Sequence, residues 1–198
     1  MPKRPKSKKA RASTLRDRIL DAALALSERD GWRNASLAAI AAEAALPLHG
    51  LYGEFRSRSA ILAGLMARVD AAVLADTSAP DPKESARDRL FDVLMRRFDA
   101  LKPHRAALKV IARDLLTDPP TALCCAPALF RSMRWMLEAA GLSSAGIRGR
   151  LHVRALTALY LCVLRVFVED DSNGAFFTTR PGMPASAPNT RALTHGPF

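Results

Sequence analysis

The chain has 198 residues, 49% of them hydrophobic and 25% charged, and a formal net charge of +11. That length suits one compact domain or a small head joined to a larger body, and the apolar share is ample for a packed core. Lys3, Arg4, Lys6, Lys8, Lys9 and Arg11 crowd the first eleven residues and leave about +5 on the remainder. A basic arm on a basic body calls for a polyanionic partner, either nucleic acid or an anionic membrane surface, and charge alone does not separate the two.

Cys124, Cys125 and Cys162 have no metal-ligand spacing, and an odd count speaks against a disulfide framework. Buried thiols in a reducing cytosol are expected, with redox sensing by the adjacent pair as the alternative. The basic N-terminus runs into a polar amphipathic segment rather than the apolar core of a secretory signal. The longest apolar run, residues 155–168, is interrupted by Arg165 and falls short of the roughly 20 residues that span a bilayer. A soluble, cytoplasmic protein without a transmembrane segment is the expectation.

In chain order, residues 1–13 hold two prolines and no apolar periodicity, so they read as a disordered basic arm. A first helix starts near Thr14, with Leu15, Ile19, Ala22, Ala23 and Leu26 at helical spacing and Gly31 as its left-handed cap. Trp32 should pack back on it. Ser36 is a good N-cap for a second helix over 37–44, with Leu37 and Ile40 inward. A turn at Ala45 and Leu46 leads to a short third helix opened by Pro47, with Leu51 and Phe55 as its buried face. Ser57 caps a fourth helix that carries Ile61, Leu62, Leu65, Met66, Val69 and Val73 and breaks at 78–82.

The second half reads as four more helices. Leu90, Phe91, Leu94, Phe98 and Leu101 mark one that stops before Pro103; Leu108, Ile111, Leu115 and Leu116 mark the next, ended at 118–120. A third runs over about 127–140 with Leu129, Met133, Met136 and Leu137. The last starts at Ser143 and runs to about Glu169, where its apolar residues spread onto nearly every face. The acids Glu169, Asp170 and Asp171 close it as a solvated end rather than a metal or partner contact. Prolines and glycines after Ser172 read as a disordered tail.

Once the head is reached, the chain resembles the TetR family of one-component transcriptional regulators over roughly Leu15 to Leu62. The segments ILDAALAL, the Gly31–Trp32 pair, SLAAIAAEA and LYGEF followed by SRSAIL carry the likeness. The C-terminal half is similar only in being all helical. Its last helix, running into VFVEDDS, also resembles a lipid-binding branch of the fold from ubiquinone biosynthesis. The resemblance implies an all-α fold: a helix-turn-helix head over 14–58, a ligand-binding and dimerisation body over 59–171, and the tail over 172–198. It also implies a dimer that sets two third helices in successive major grooves and is released by a small apolar or lipid-like effector.

The head departs from the family pattern. Ala45 stands where a turn glycine is usual, and Pro47 and Leu48 replace a capping serine and a lysine. Gly50 and Gly53 shorten the reach of the third helix, and Glu54 holds a position where the family often has histidine. The residues left to meet DNA are Lys8, Arg11, Ser36, Leu48, His49, Tyr52, Arg56 and Arg58. His49 is nearly alone as a base reader, Tyr52 is a phosphate donor or a packing residue, and affinity falls mainly to the arm and the arginines.

In the body, Phe91, Phe98, Ile111, Phe130 and Trp135 are candidate pocket residues, with His104, Arg113 and His152 as polar anchors, although aromatics at helical spacing equally suit a core. Leu156, Tyr160, Val163 and Phe167 are expected to meet a second copy of the last helix. With no Gly-rich phosphate loop, paired acids or metal-ligating cluster, the chain reads as a regulator rather than an enzyme, needing no cofactor. The other reading is a TetR-fold lipid-binding accessory protein that no longer reads DNA sequence.

Overall fold

Local capping chemistry sets most helix boundaries in the computed structural model, which describes residues 14–76 and 84–169. Helix α1 spans Leu15–Asp30, opened by a capping box in which the Thr14 hydroxyl accepts from the Asp17 amide at 3.1 Å and the Asp17 carboxylate accepts from the Thr14 amide at 3.2 Å. The Gly31 amide closes it on the Ser27 carbonyl at 3.1 Å. Ser36 caps α2 (Leu37–Glu43) through the Ala39 amide, and Ser57 caps α4 (Arg58–Ala75) through the Ala60 amide. Between them lies α3 (Leu48–Glu54), entered from Pro47 without a side-chain cap. Then follow α5 (Ala86–Leu101), a 3-10 turn (Lys102–His104), α6 (Arg105–Leu116), α7 (Pro119–Ala139) and α8 (Gly146–Glu169). All regular structure among the described residues is helical. The arm with Lys8 and Arg11, and the tail over 172–198, lie outside them.

One boundary differs clearly from the sequence reading: α7 begins at Pro119, not near Pro127. Asp118 accepts from the Thr121 amide at 3.3 Å, and Pro119 and Pro120 fill the first turn, where a helix has no acceptor for their missing N–H groups. Pro127 sits inside the helix on its exposed side.

Two apolar clusters organise the chain. The first joins Ile19, Leu20, Trp32, Ile40, Leu51, Phe55 and Ile61 of the head to Ala107 and Ile111 of α6 and Cys125 of α7. The second gathers Val69 and Val73 of α4, Phe98, Met133, Met136 and Leu137, and the inner face of α8. The Phe98 ring lies 5.6 Å from Tyr160 and 5.2 Å from Phe167, centroid to centroid.

The residues expected at the dimer face lie in this second cluster. Leu156, Tyr160 and Phe167 are buried within their own protomer, and Val163 packs against the same cluster. They do form one stripe at helical spacing, but α5 and α7 already cover it. The uncovered apolar residues of α8 are Ile147, Leu151, Leu159, Leu161 and Val166. The thiols also differ from expectation: Cys125 is buried, whereas Cys124 and Cys162 are exposed.

A polar group sits deep between the helices. Arg97 of α5 is 1% exposed and donates to Asp70 of α4, whose same oxygen accepts from the Ser132 hydroxyl of α7 at 2.6 Å. The guanidinium lies 5.0 Å from the Tyr160 ring centroid. Three helices are thus tied at one carboxylate oxygen.

Candidate nucleic-acid interface and ligand cleft

The α2–α3 turn is held by its neighbours rather than by its own sequence. Arg18 of α1 donates to the Ala44 carbonyl at 2.6 Å and the Ala45 carbonyl at 3.4 Å, satisfying the end of α2. Ala45 adopts φ 52, the left-handed region where a side chain is disfavoured and glycine is at ease. Ala45→Gly should therefore stabilise the head by about 0.5–1 kcal/mol, the relief of strain exceeding the added chain entropy. Urea titration read by circular dichroism checks this, with a raised midpoint expected.

Beyond that turn, Leu51 and Phe55 anchor α3, at 1% and 2% exposure. Their burial fixes which side of α3 looks outward. Leu48 and Tyr52 are more than half exposed, and His49 is exposed between them. Arg56 lies with its guanidinium 5.6 Å from the Tyr52 ring centroid, so phenol and guanidinium extend together from the end of α3. Ser36 uses its oxygen as the α2 cap and keeps its O–H proton for an outside acceptor. Leu48, His49, Tyr52, Arg56 and Ser36 are thereby presented on the exposed surface of the head.

Arg58 does not join them. It lies over the Trp32 ring, 4.8 Å from the centroid, and donates to the Trp32 carbonyl. The family position it matches would reach for phosphate; here the guanidinium turns inward because Trp32 offers both an aromatic face and an acceptor. Arg58, half-buried, and Arg18, on the surface, thus both hold backbone carbonyls of the head.

The proposed pocket residues do not converge. Ile111 belongs to the head cluster and Phe98 to the body cluster, while Phe91, Phe130 and Trp135 are exposed. His152 and Arg113 are exposed as well; His104 is half-buried, and burial followed by the nearby Arg68 charge pushes its imidazole below the ordinary value. A cleft of about 450 Å³ lies elsewhere, along the outside of α4. Of the expected set only Trp135 lines it.

Small residues of α4 make the floor of this cleft, among them Ala63, Gly64, Ala67 and Ala71. Arg131 and Trp135 of α7 form one wall, and Arg16 and Glu54, paired at 3.7 Å, stand at the head end. Gly64 is required there: a Cβ would come within 2.6 Å of the Phe55 ring and 3.3 Å of the Arg16 guanidinium, which lies 4.4 Å from that ring's centroid. The sequence does carry a trace of the cleft, in the small residues spaced three and four apart along α4. Among the described residues no group of His, Cys, Asp and Glu is placed to hold a metal ion.

Comparison with known proteins accords with this geometry. Residues 19–65 match the family model described as bacterial regulatory proteins, tetR family. A TetR transcriptional regulator from Nitrosomonas europaea superposes with a TM-score of 0.65 at 23% identity, covering 82% of this chain and 90% of that one. A TetR regulator from Rhodococcus sp. RHA1 gives 0.56 at 20% identity, over 78% and 84%. The multidrug binding protein EbrR, solved with imidazole, gives 0.50 at 21% identity, over 84% and 88%. No curated protein matches the chain. The head, matched over α1 to α4, is thus similar to the N-terminal domain of tetR-family regulatory proteins, and the chain as a whole shares the all-helical fold of the solved TetR regulators.

Proposed function

We propose that the protein is a dimeric, cytoplasmic transcriptional repressor that reads a near-palindromic operator with α3 and is released by a small ligand with an apolar part. The observation that carries this reading is the orientation of α3: Leu51 and Phe55 pin one side, which aims Leu48, His49, Tyr52 and Arg56 outward together. His49 reads a base edge, Leu48 meets a thymine methyl, and Tyr52 and Arg56 grip phosphate. Lys8 and Arg11 of the arm add contacts that neutralise phosphate.

The dimer surface in this reading is the outer face of α8, with Ile147, Leu151, Leu159 and Val166. By length and composition α8 could also cross a bilayer, but its inner face is already packed as a core face and Arg148, Arg150, Arg154 and Arg165 are exposed along the rest of the helix. A second copy covers such a half-buried helix better than lipid does.

The test is a titration of the full chain against the DNA upstream of its own gene and against random DNA, at several salt concentrations. Two chains per site, a steep fall in affinity with salt and a preference of at least about a thousandfold for the cognate fragment are expected. Salt-steep binding without preference, abolished by deleting residues 1–13, overturns the reading. It would favour the lipid-binding accessory protein, for which the observation is the bare α3 surface, where Pro47 and Leu48 bring neither charge nor hydroxyl. That alternative requires a lipid that co-purifies and is visible by native mass spectrometry.

A further inference from the structure

We propose that the cleft along α4 is an effector site for an amphipathic monocarboxylate, and that the ligand acts on DNA binding by taking Arg16 away from Glu54. The regulation rests on the DNA-binding reading above; the ligand site does not. Three features argue for the ligand's chemistry. The floor is apolar and made of small side chains, so it accepts a slender alkyl or aryl body without rearrangement. Trp135, half exposed on the rim, supplies an aromatic wall.

The third feature is charge. Asp70 also lines the cleft, but its carboxylate is neutralised from behind by Arg97. Glu54 is paired with Arg16. Arg131 has no carboxylate partner among the described residues, so the cleft carries one cation in excess. A carboxylate is the complement, and guanidinium groups receive it through paired N–H donors.

The position of Glu54 supplies the consequence. It is the last residue of α3, and its carboxylate meets Arg16 at 3.7 Å inside the cleft. A ligand carboxylate shared between Arg131 and Arg16 competes with Glu54 for the Arg16 guanidinium, which loosens the end of the helix that faces DNA. The pair is largely solvent-exposed, with side chains 47% and 34% accessible, so the coupling is small: a saturating ligand should weaken DNA binding by no more than about fivefold. Linkage requires DNA to weaken ligand binding by the same factor.

Tryptophan emission reads the site directly. The chain has two tryptophans, and Trp32 is 1% exposed in the head, so a change on ligand addition reports Trp135. Full-length protein would be titrated with decanoate, decanol and decyltrimethylammonium below their micelle concentrations. A saturable blue shift with decanoate is expected, with weaker binding of the alcohol and the weakest by the ammonium. Arg131→Gln should cost decanoate about tenfold in affinity and leave decanol unchanged. Glu54→Gln should tighten decanoate and abolish its effect on DNA.

Equal or tighter binding of the ammonium overturns the carboxylate assignment, as does an unchanged decanoate affinity in Arg131→Gln. Decanoate that binds while wild-type DNA affinity stays constant overturns the coupling. Decanoate that binds a protein with no sequence preference for DNA leaves the cleft assigned and sinks the regulator reading instead. The comparison of the three probes on the wild-type chain needs no variant to fold.

Discussion

Asp70→Ala is expected to destabilise the fold by about 3–5 kcal/mol, because it leaves the Arg97 guanidinium buried with no counter-charge. Arg97 is 1% exposed, and its one carboxylate partner among the described residues is Asp70. The Ser132 hydroxyl, also fully buried, loses its acceptor in the same change. The companion variant separates charge burial from packing. In Asp70→Ala combined with Arg97→Met nothing charged is left behind, and much of the loss should return, since apolar replacements of buried ion pairs are commonly neutral or better. Urea unfolding of both variants checks this, with the single variant lower in midpoint and the double variant between it and wild type. A single variant within 1 kcal/mol of wild type would show that water reaches Arg97.

Gly149→Ala is expected to cost about 3 kcal/mol, toward the upper range for overpacking. A Cβ at this position would fall inside the carbonyl carbon and oxygen of Ser144 and 2.9 Å from its Cα. Those are backbone atoms, so no rotamer change relieves the clash, and the segment entering α8 must move. Ile147 and Leu151 lie on the first turns that would shift, and both belong to the proposed dimer face. The variant should therefore lose dimer on dilution as well as thermal stability, measured by analytical ultracentrifugation and calorimetry. Gly53→Ala, where an added Cβ meets nothing within 4 Å, is the matched control and should not reduce stability.

The head was legible because its signals are local. Thr14, Ser36 and Ser57 cap helices within three residues of themselves, and Leu51 with Phe55 declares the inner side of α3 four residues apart. Ala45 was readable as a strained position for the same reason. The body hid its decisions in partners distant along the chain. Arg97 looks like a solvated charge on α5 until Asp70, 27 residues earlier on α4, is placed against it. That pairing turns α5 so that Val93 and Arg97 face inward and Phe91 faces out. On α8 two apolar stripes compete, and spacing alone does not tell which one the protomer keeps for itself. Arg58 shows the limit even inside the head, since its Trp32 partner lies 26 residues away.

The shared apolar cluster has a practical consequence for engineering. The head's packing includes Ala107 and Ile111 of α6 and Cys125 of α7, and the Arg33 amide at its first loop rests on the Asp114 carboxylate at 3.0 Å. A boundary drawn after residue 58 cuts through this cluster, so the piece 14–58 lacks part of its own interior. Grafting this head onto a foreign body would require transplanting α6 and the start of α7 with it, and a chimera joined at α4 alone would carry an open seam.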